Sequence, residues 1–196
     1  MRRWTVIPMV LALAGAGATV APVTAAAAPP PAAVGTPQCP TGWGSLPKDT
    51  TASGTRPLVN VRTGAHPCYD RLVLDVPGTS AARPAGYHVH YVDTLVQDAS
   101  GKPVPVRGGA ILEIVVEAPA FDPATGRTSY PAHPGQPLPG VDLAGYRTFT
   151  DTRFASSFEG RTQIGVGVRA RLPFRVFQLD GRLVVDVAHT WGPAPR

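Results

Sequence analysis

Cysteine, lysine and helical periodicity are scarce in this 196-residue chain. There are two cysteines, Cys39 and Cys68, so neither a cysteine-rich metal knuckle nor a multiply bridged scaffold is available. Among eighteen basic residues only Lys48 and Lys102 are lysine, and the arginines are scattered. No basic run marks a nucleic-acid footprint. No segment sustains a 3.6-residue apolar period over ten residues. No G-x-S-x-G elbow occurs, and two cysteines that pair leave no thiol nucleophile.

What is present begins with Arg2 and Arg3, an apolar run without acidic residues, and small residues that permit an Ala-x-Ala cut around Ala25 to Ala28. This pattern predicts a cleaved secretory signal over residues 1–28, since its strongly apolar part is shorter than the ~20 residues of a membrane span. Cleavage removes Arg2 and Arg3, lowers the formal charge of +5 to about +3, and leaves no transmembrane segment. A secreted or wall-associated protein is expected. In that compartment Cys39 and Cys68 are expected to form a disulfide. Closing a loop of about thirty residues stabilises by roughly 3–4 kcal/mol on the chain-entropy model.

Residues 29–55 are rich in Pro, Gly, Ser and Thr and read as a linker with an irregular N-terminal arm. Residues 56–191 are one domain's worth of chain, followed by a tail at 192–196. Within the domain the apolar period is two. Residues 58–62, 70–76, 86–93, 110–118, 146–155, 163–171, 174–179 and 182–189 alternate, which predicts about eight strands and an all-β sandwich or barrel. A short helical turn fits residues 142–146, and the Pro-rich stretch 119–140 is expected to be the most mobile surface connection.

One strand is written twice. Arg71 to Val76 reads RLVLDV and Arg182 to Val187 reads RLVVDV. In each copy the alternate aliphatics (Leu72 and Leu74; Leu183 and Val185) are expected to face the core. Arg71, Asp75, Arg182 and Asp186 fall on the other face. Arg and Asp within a copy stand about 13 Å apart, too far to pair, so their partners lie on neighbouring strands.

These stretches, with Ser157-Phe158-Glu159-Gly160, Gly165-Val166-Gly167 and the closing block Pro173 to His189, resemble the AMIN-like proteins of actinobacteria. The resemblance spans about Leu58 to Thr190. It implies kinship with the AMIN domain of N-acetylmuramoyl-L-alanine amidases and secretins, a β-sandwich of two similar antiparallel sheets. On that pattern each sheet carries one copy of the repeated strand. It also implies a non-catalytic targeting module for peptidoglycan or an associated wall polymer, with a wall glycan or an envelope protein as partner, and no cofactor.

Candidate ligand-binding residues are Tyr87, Tyr91, Tyr146, Arg147 and Arg153, an aromatic and basic set suited to glycan. Gly165 and Gly167 match G-x-G-x-x-A, but no helix follows them, which excludes a dinucleotide loop. They imply either close backbone approach or a flat groove for a sugar ring. His88 and His90 share a strand face and suit two ligands of a zinc site, with a third drawn from His66, His133 or His189. That arrangement carries the alternative of a metal-dependent hydrolase, whereas two exposed histidines and no metal is the simpler expectation. A subunit docking on another secreted protein is a further alternative.

Overall fold

A computed structural model describes residue 39, residues 42–52 and residues 54–192. The predicted signal (1–28), most of the predicted linker before residue 42, and residues 193–196 lie outside the described residues.

The described chain is all β. Eleven strands run in order: β1 (Lys48–Thr50), β2 (Asn60–Ala65), β3 (Tyr69–Asp75), β4 (Tyr87–Val92), β5 (Leu95–Val96), β6 (Pro103–Val104), β7 (Ala110–Val116), β8 (Phe149–Phe158), β9 (Arg161–Val168), β10 (Phe174–Leu179) and β11 (Arg182–Ala188). They form a five-stranded sheet, β1-β4-β7-β9-β8, a four-stranded sheet, β10-β11-β3-β2, and a β5-β6 ribbon. Every pairing is antiparallel.

The alternation seen in the sequence sets the layers. Leu72, Leu74, Leu183 and Val185 of the smaller sheet and Leu112, Ile114, Ile164 and Val166 of the larger are inaccessible to solvent and share one apolar cluster. Two sheets packed through these rows make a β-sandwich. At one end a polar pin joins them. Asp70 of β3 accepts the backbone N–H groups of Thr148 (2.6 Å) and Phe149 (2.9 Å) at the start of β8, and His189 Nε2 lies 3.1 Å from its second oxygen.

Three strands lie outside the eight predicted ones. β1 falls in the predicted linker, yet pairs with β4, Lys48 opposite Val89. The domain therefore takes in part of the arm. Cys39 bridges Cys68 as expected, with Cα atoms 5.2 Å apart. The 119–140 stretch is not a loose connection. It buries Ala120, Tyr130 and Leu138, and its Gly135 N–H and Gln136 carbonyl bond Phe154, capping the β8 edge. An apolar stretch laid along an exposed ladder satisfies both. Residues 144–145 form a turn, without the predicted helical character.

The repeated strand is also placed differently from expectation. Both copies lie in the same sheet, side by side. Arg71 stands opposite Asp186, Leu72 opposite Val185, Leu74 opposite Leu183, and Asp75 opposite Arg182. A segment that begins with Arg and has Asp four residues on is its own antiparallel complement: each charge meets its opposite across the ladder. The duplication thus supplies cross-strand charge pairing, not one strand per sheet.

Candidate functional site

The two outer faces of the sandwich differ. That of the five-stranded sheet is covered by residues 93–107. Gln163 of β9 donates to Val96 O (2.7 Å) and to Glu113 Oε1 (2.5 Å), and accepts the Asp98 N–H (3.0 Å). Leu95 and Val104 of the ribbon pack with Ala155 into a second small apolar cluster. The β9 glycines make this cover fit. A Cβ on Gly165 would stand 2.4 Å from Leu95 Cδ2, and one on Gly167 would stand 1.9 Å from the Arg107 carbonyl oxygen. These glycines serve close approach of chain to chain; the open sugar groove envisaged for them is filled by Leu95, Val106 and Arg107.

The outer face of the four-stranded sheet has no covering ribbon; Trp43 of the arm lies over its Arg175 end, and its own long side chains shield Val73, Val184 and Asp186. Its side chains are Asn60 and Arg62 of β2, Tyr69, Arg71, Val73 and Asp75 of β3, Arg182, Val184 and Asp186 of β11, and Arg175, Phe177 and Leu179 of β10, as the registers place them. Two aspartates are each flanked by two arginines. Asp186, fully buried, takes Arg71 Nε at 2.6 Å and Nη2 at 2.9 Å on one side. Arg175 reaches it from the other, with Nε at 2.9 Å and Nη2 at 2.8 Å. Both guanidinium groups lie on rings: Arg175 is 4.5 Å from the Trp43 centroid and 4.9 Å from Phe177, and Arg71 is 5.2 Å from Tyr69 and 5.4 Å from Phe177. The ring of His66 stacks on Tyr69 at 4.5 Å. Fixed forks stacked on aromatics are held rigid.

Asp75 holds the other pole more loosely. Arg62 binds it bidentately at 2.7 and 2.8 Å, Asn60 Nδ2 donates at 3.2 Å, and Arg182 Nε stands at 3.9 Å. The Arg62 hydrogen bonds hold the Asp75 carboxyl below the usual carboxylate range. Arg62 and Arg182 are about half exposed. Between them, over Val73 and Val184, lies a hollow of about 210 Å³. Four arginines against two aspartates leave this face with an excess of positive charge.

The predicted ligand residues do not meet on one surface. Tyr87 and Tyr91 share the inward face of β4 with buried Val89 and pack against the core. The Tyr91 hydroxyl donates to Leu172 O (2.8 Å) and accepts the Leu172 N–H (3.0 Å), and burial pushes its phenol up to about 12. Tyr146 stacks on Phe149 with centroids 6.1 Å apart, and Arg147 donates to Pro67 O at 3.3 Å. Arg153 lies opposite Gly165, under the covered face, with Nε and Nη2 both 3.1 Å from Asp151 Oδ2. A cleft of about 450 Å³ has Tyr91, Asp93 and Arg171 in its wall, with Val92, Val106, Gly108, Gly109, Ala110 and Ile111 completing it.

His88 and His90 stand with ring centroids 4.3 Å apart. His90 Nε2 lies 3.2 Å from Glu113 Oε2, and burial lowers the pKa of His90 against the pull of that carboxylate. The third ligands envisaged are engaged elsewhere or exposed: His66 lies on Tyr69, His189 on Asp70, and His133 is at the surface. Among the described residues no group of three His, Cys, Asp or Glu can hold a metal ion. Also among them, no helix is long and apolar enough to cross a membrane.

The fold and its surfaces define a β-sandwich with one sheet face sealed and the other left open and cationic. The family model of the AMIN-like domain matches residues 56–189, and the chain belongs to that family. AMIN-like domains are a binding and targeting type of domain associated with peptidoglycan. No curated protein and no solved structure matches the chain.

The sequence reading missed Trp43, Tyr69, Arg175 and Phe177. A trace of Arg175 was there. The Asp180-Gly181 turn closes a two-residue hairpin, which sets Arg175 opposite Asp186 without any structure. Trp43 comes from the arm and has no such register.

Proposed function

We propose that this chain is an exported, non-catalytic module that holds peptidoglycan through the open face of its four-stranded sheet. One observation carries the reading: that face bears four arginines, two of them (Arg71 and Arg175) fixed beside Trp43, Tyr69 and Phe177 and two (Arg62 and Arg182) about half exposed, while the opposite face is sealed by its own chain. Preset cationic forks recognise carboxylates, and rings give flat contact to sugars. The signal pattern at residues 1–28 and the Cys39–Cys68 bridge support an oxidising location outside the cytoplasm. Family membership supports a role in placing or tethering rather than in chemistry. The partner is then the wall itself, or an envelope protein seated on it.

Co-sedimentation with purified sacculi tests this. The chain from Pro29 onward, which keeps every described residue, is expected to pellet with bare sacculi, and a substantial part of the binding is expected to survive high salt. No pelleting at low salt, where charge attraction is strongest, would remove the reading.

A further inference from the structure

The two poles of the open face are related by the repeated strand, and they are not equally occupied. At the Asp186 pole, two arginine forks close on one buried carboxylate and rings lie over them. At the Asp75 pole the matching arginine, Arg182, is 3.9 Å from its carboxylate and about half exposed. Among the described residues no ring lies over Arg62 or Arg182. In place of rings there is the hollow, rimmed by Arg62, Arg71, Arg182 and exposed Leu179, with the buried Val73 and Val184 beneath.

We propose that this hollow is a subsite for the terminal carboxylate of a peptide stem of peptidoglycan, with Arg182 as its principal ligand and Arg62 beside it. The inference rests on the peptidoglycan reading above and names which group of the polymer is held. Its volume, about 210 Å³, is below the roughly 300–1,000 Å³ of pockets for drug-sized ligands. It suits one small residue, not an oligosaccharide. Leu179, exposed at the side of the hollow, offers the apolar contact for a small aliphatic side chain such as a methyl group. The Arg182 fork has N–H groups to spare for a planar carboxylate. The closed pole shows in the same molecule that one carboxylate sits well between two such forks.

The test uses sacculi before and after stripping of phosphodiester-linked polymers, the stripped ones either native or with their carboxylates amidated by carbodiimide and methylamine. Amidation is expected to weaken binding at least roughly tenfold, the worth of one lost charged hydrogen bond. Arg182→Gln should weaken binding to native sacculi comparably and should no longer respond to amidation. Arg182→Lys should retain part of the affinity. Arg161→Gln, at the start of β9, removes the same charge elsewhere and should track the parent chain. Equal binding to native and amidated sacculi overturns the subsite and leaves the peptidoglycan reading standing. So does an Arg161→Gln loss equal to that of Arg182→Gln, which would mean diffuse charge. Binding that disappears when phosphodiester polymers are stripped would make phosphate the ligand. Failure to pellet with any sacculi removes both readings together. Should Arg182→Gln not fold, the amidation comparison on the parent chain decides alone.

Discussion

Replacing Asp186 by asparagine isolates the physics of the open face. The change keeps shape and volume but removes the charge that four arginine N–H contacts, at 2.6 to 2.9 Å, converge on. One amide oxygen can serve only part of them, and the amide N–H₂ faces cations. Breaking a fully buried ion pair costs about 3–5 kcal/mol. Here Arg71 and Arg175 keep 24% and 38% of their side-chain surface in solvent. They recover some hydration, so about 2–4 kcal/mol is expected. The pseudo-equivalent Asp75→Asn supplies the control. Arg62 and Arg182 are half exposed and Arg182 is distant, so its cost should stay under about 1 kcal/mol. Urea unfolding followed by tryptophan fluorescence measures both. Asp186→Asn should also alter the native emission, because Arg175 stacks under Trp43. Equal unfolding midpoints for the two variants would refute the assignment of a rigid pole and a loose one.

Leu74→Ala should cost about 2–5 kcal/mol, since Leu74 is inaccessible in the core row; an unchanged urea midpoint would contradict the packing. Gly167→Ala should destabilise by at least about 1–3 kcal/mol, because its Cβ would collide with the Arg107 carbonyl and lift the covering segment; hydrogen exchange at residues 95–107 would report that lifting. Loss of the Cys39–Cys68 bridge, 29 residues apart, should cost about 3–4 kcal/mol, read from the midpoint with and without reductant. Asp75 is held below its unfolded value, so its contribution is complete above about pH 4 and fades as pH falls through the lower folded value. The stability difference between the parent chain and Asp75→Asn should therefore vanish in acid, and a difference that grows on acidification would reverse the sign of the argument.

The sandwich was legible because one side of each long strand is apolar and the other is not. Leu72, Leu74, Leu183 and Val185 are buried as the period-two rows require. β1, β5 and β6 were not legible. Strands of three, two and two residues, KDT, LV and PV, have no period to read, and their place is set by contacts with β4 and with Gln163. The inward packing of Tyr87 and Tyr91 was not legible, because an inward rim tyrosine and an outward one have the same sequence pattern. Tyr91 finds its polar partner in the Leu172 backbone and needs no ligand. Arg71 and Asp186 were recognised as cross-strand partners in kind, but their adjacency depends on which strands share a sheet. That is decided by the whole chain, not by either hexapeptide.

A strand that is its own antiparallel complement is a charge palindrome, and a palindrome can pair with a copy of itself on any other molecule. RLVLDV or RLVVDV at a sheet edge would offer a second chain a ready ladder with matched charges at both ends. In this fold β3 lies between β2 and β11, and β11 between β3 and β10, so both copies have neighbours on each side. The edges are left to β2 and β10, whose sequences lack the motif. Interior placement thus turns a self-adhesive sequence into an intramolecular clasp, and the hazard of exchange between chains is confined to the unfolded protein and to any variant that strips β2 or β10 away.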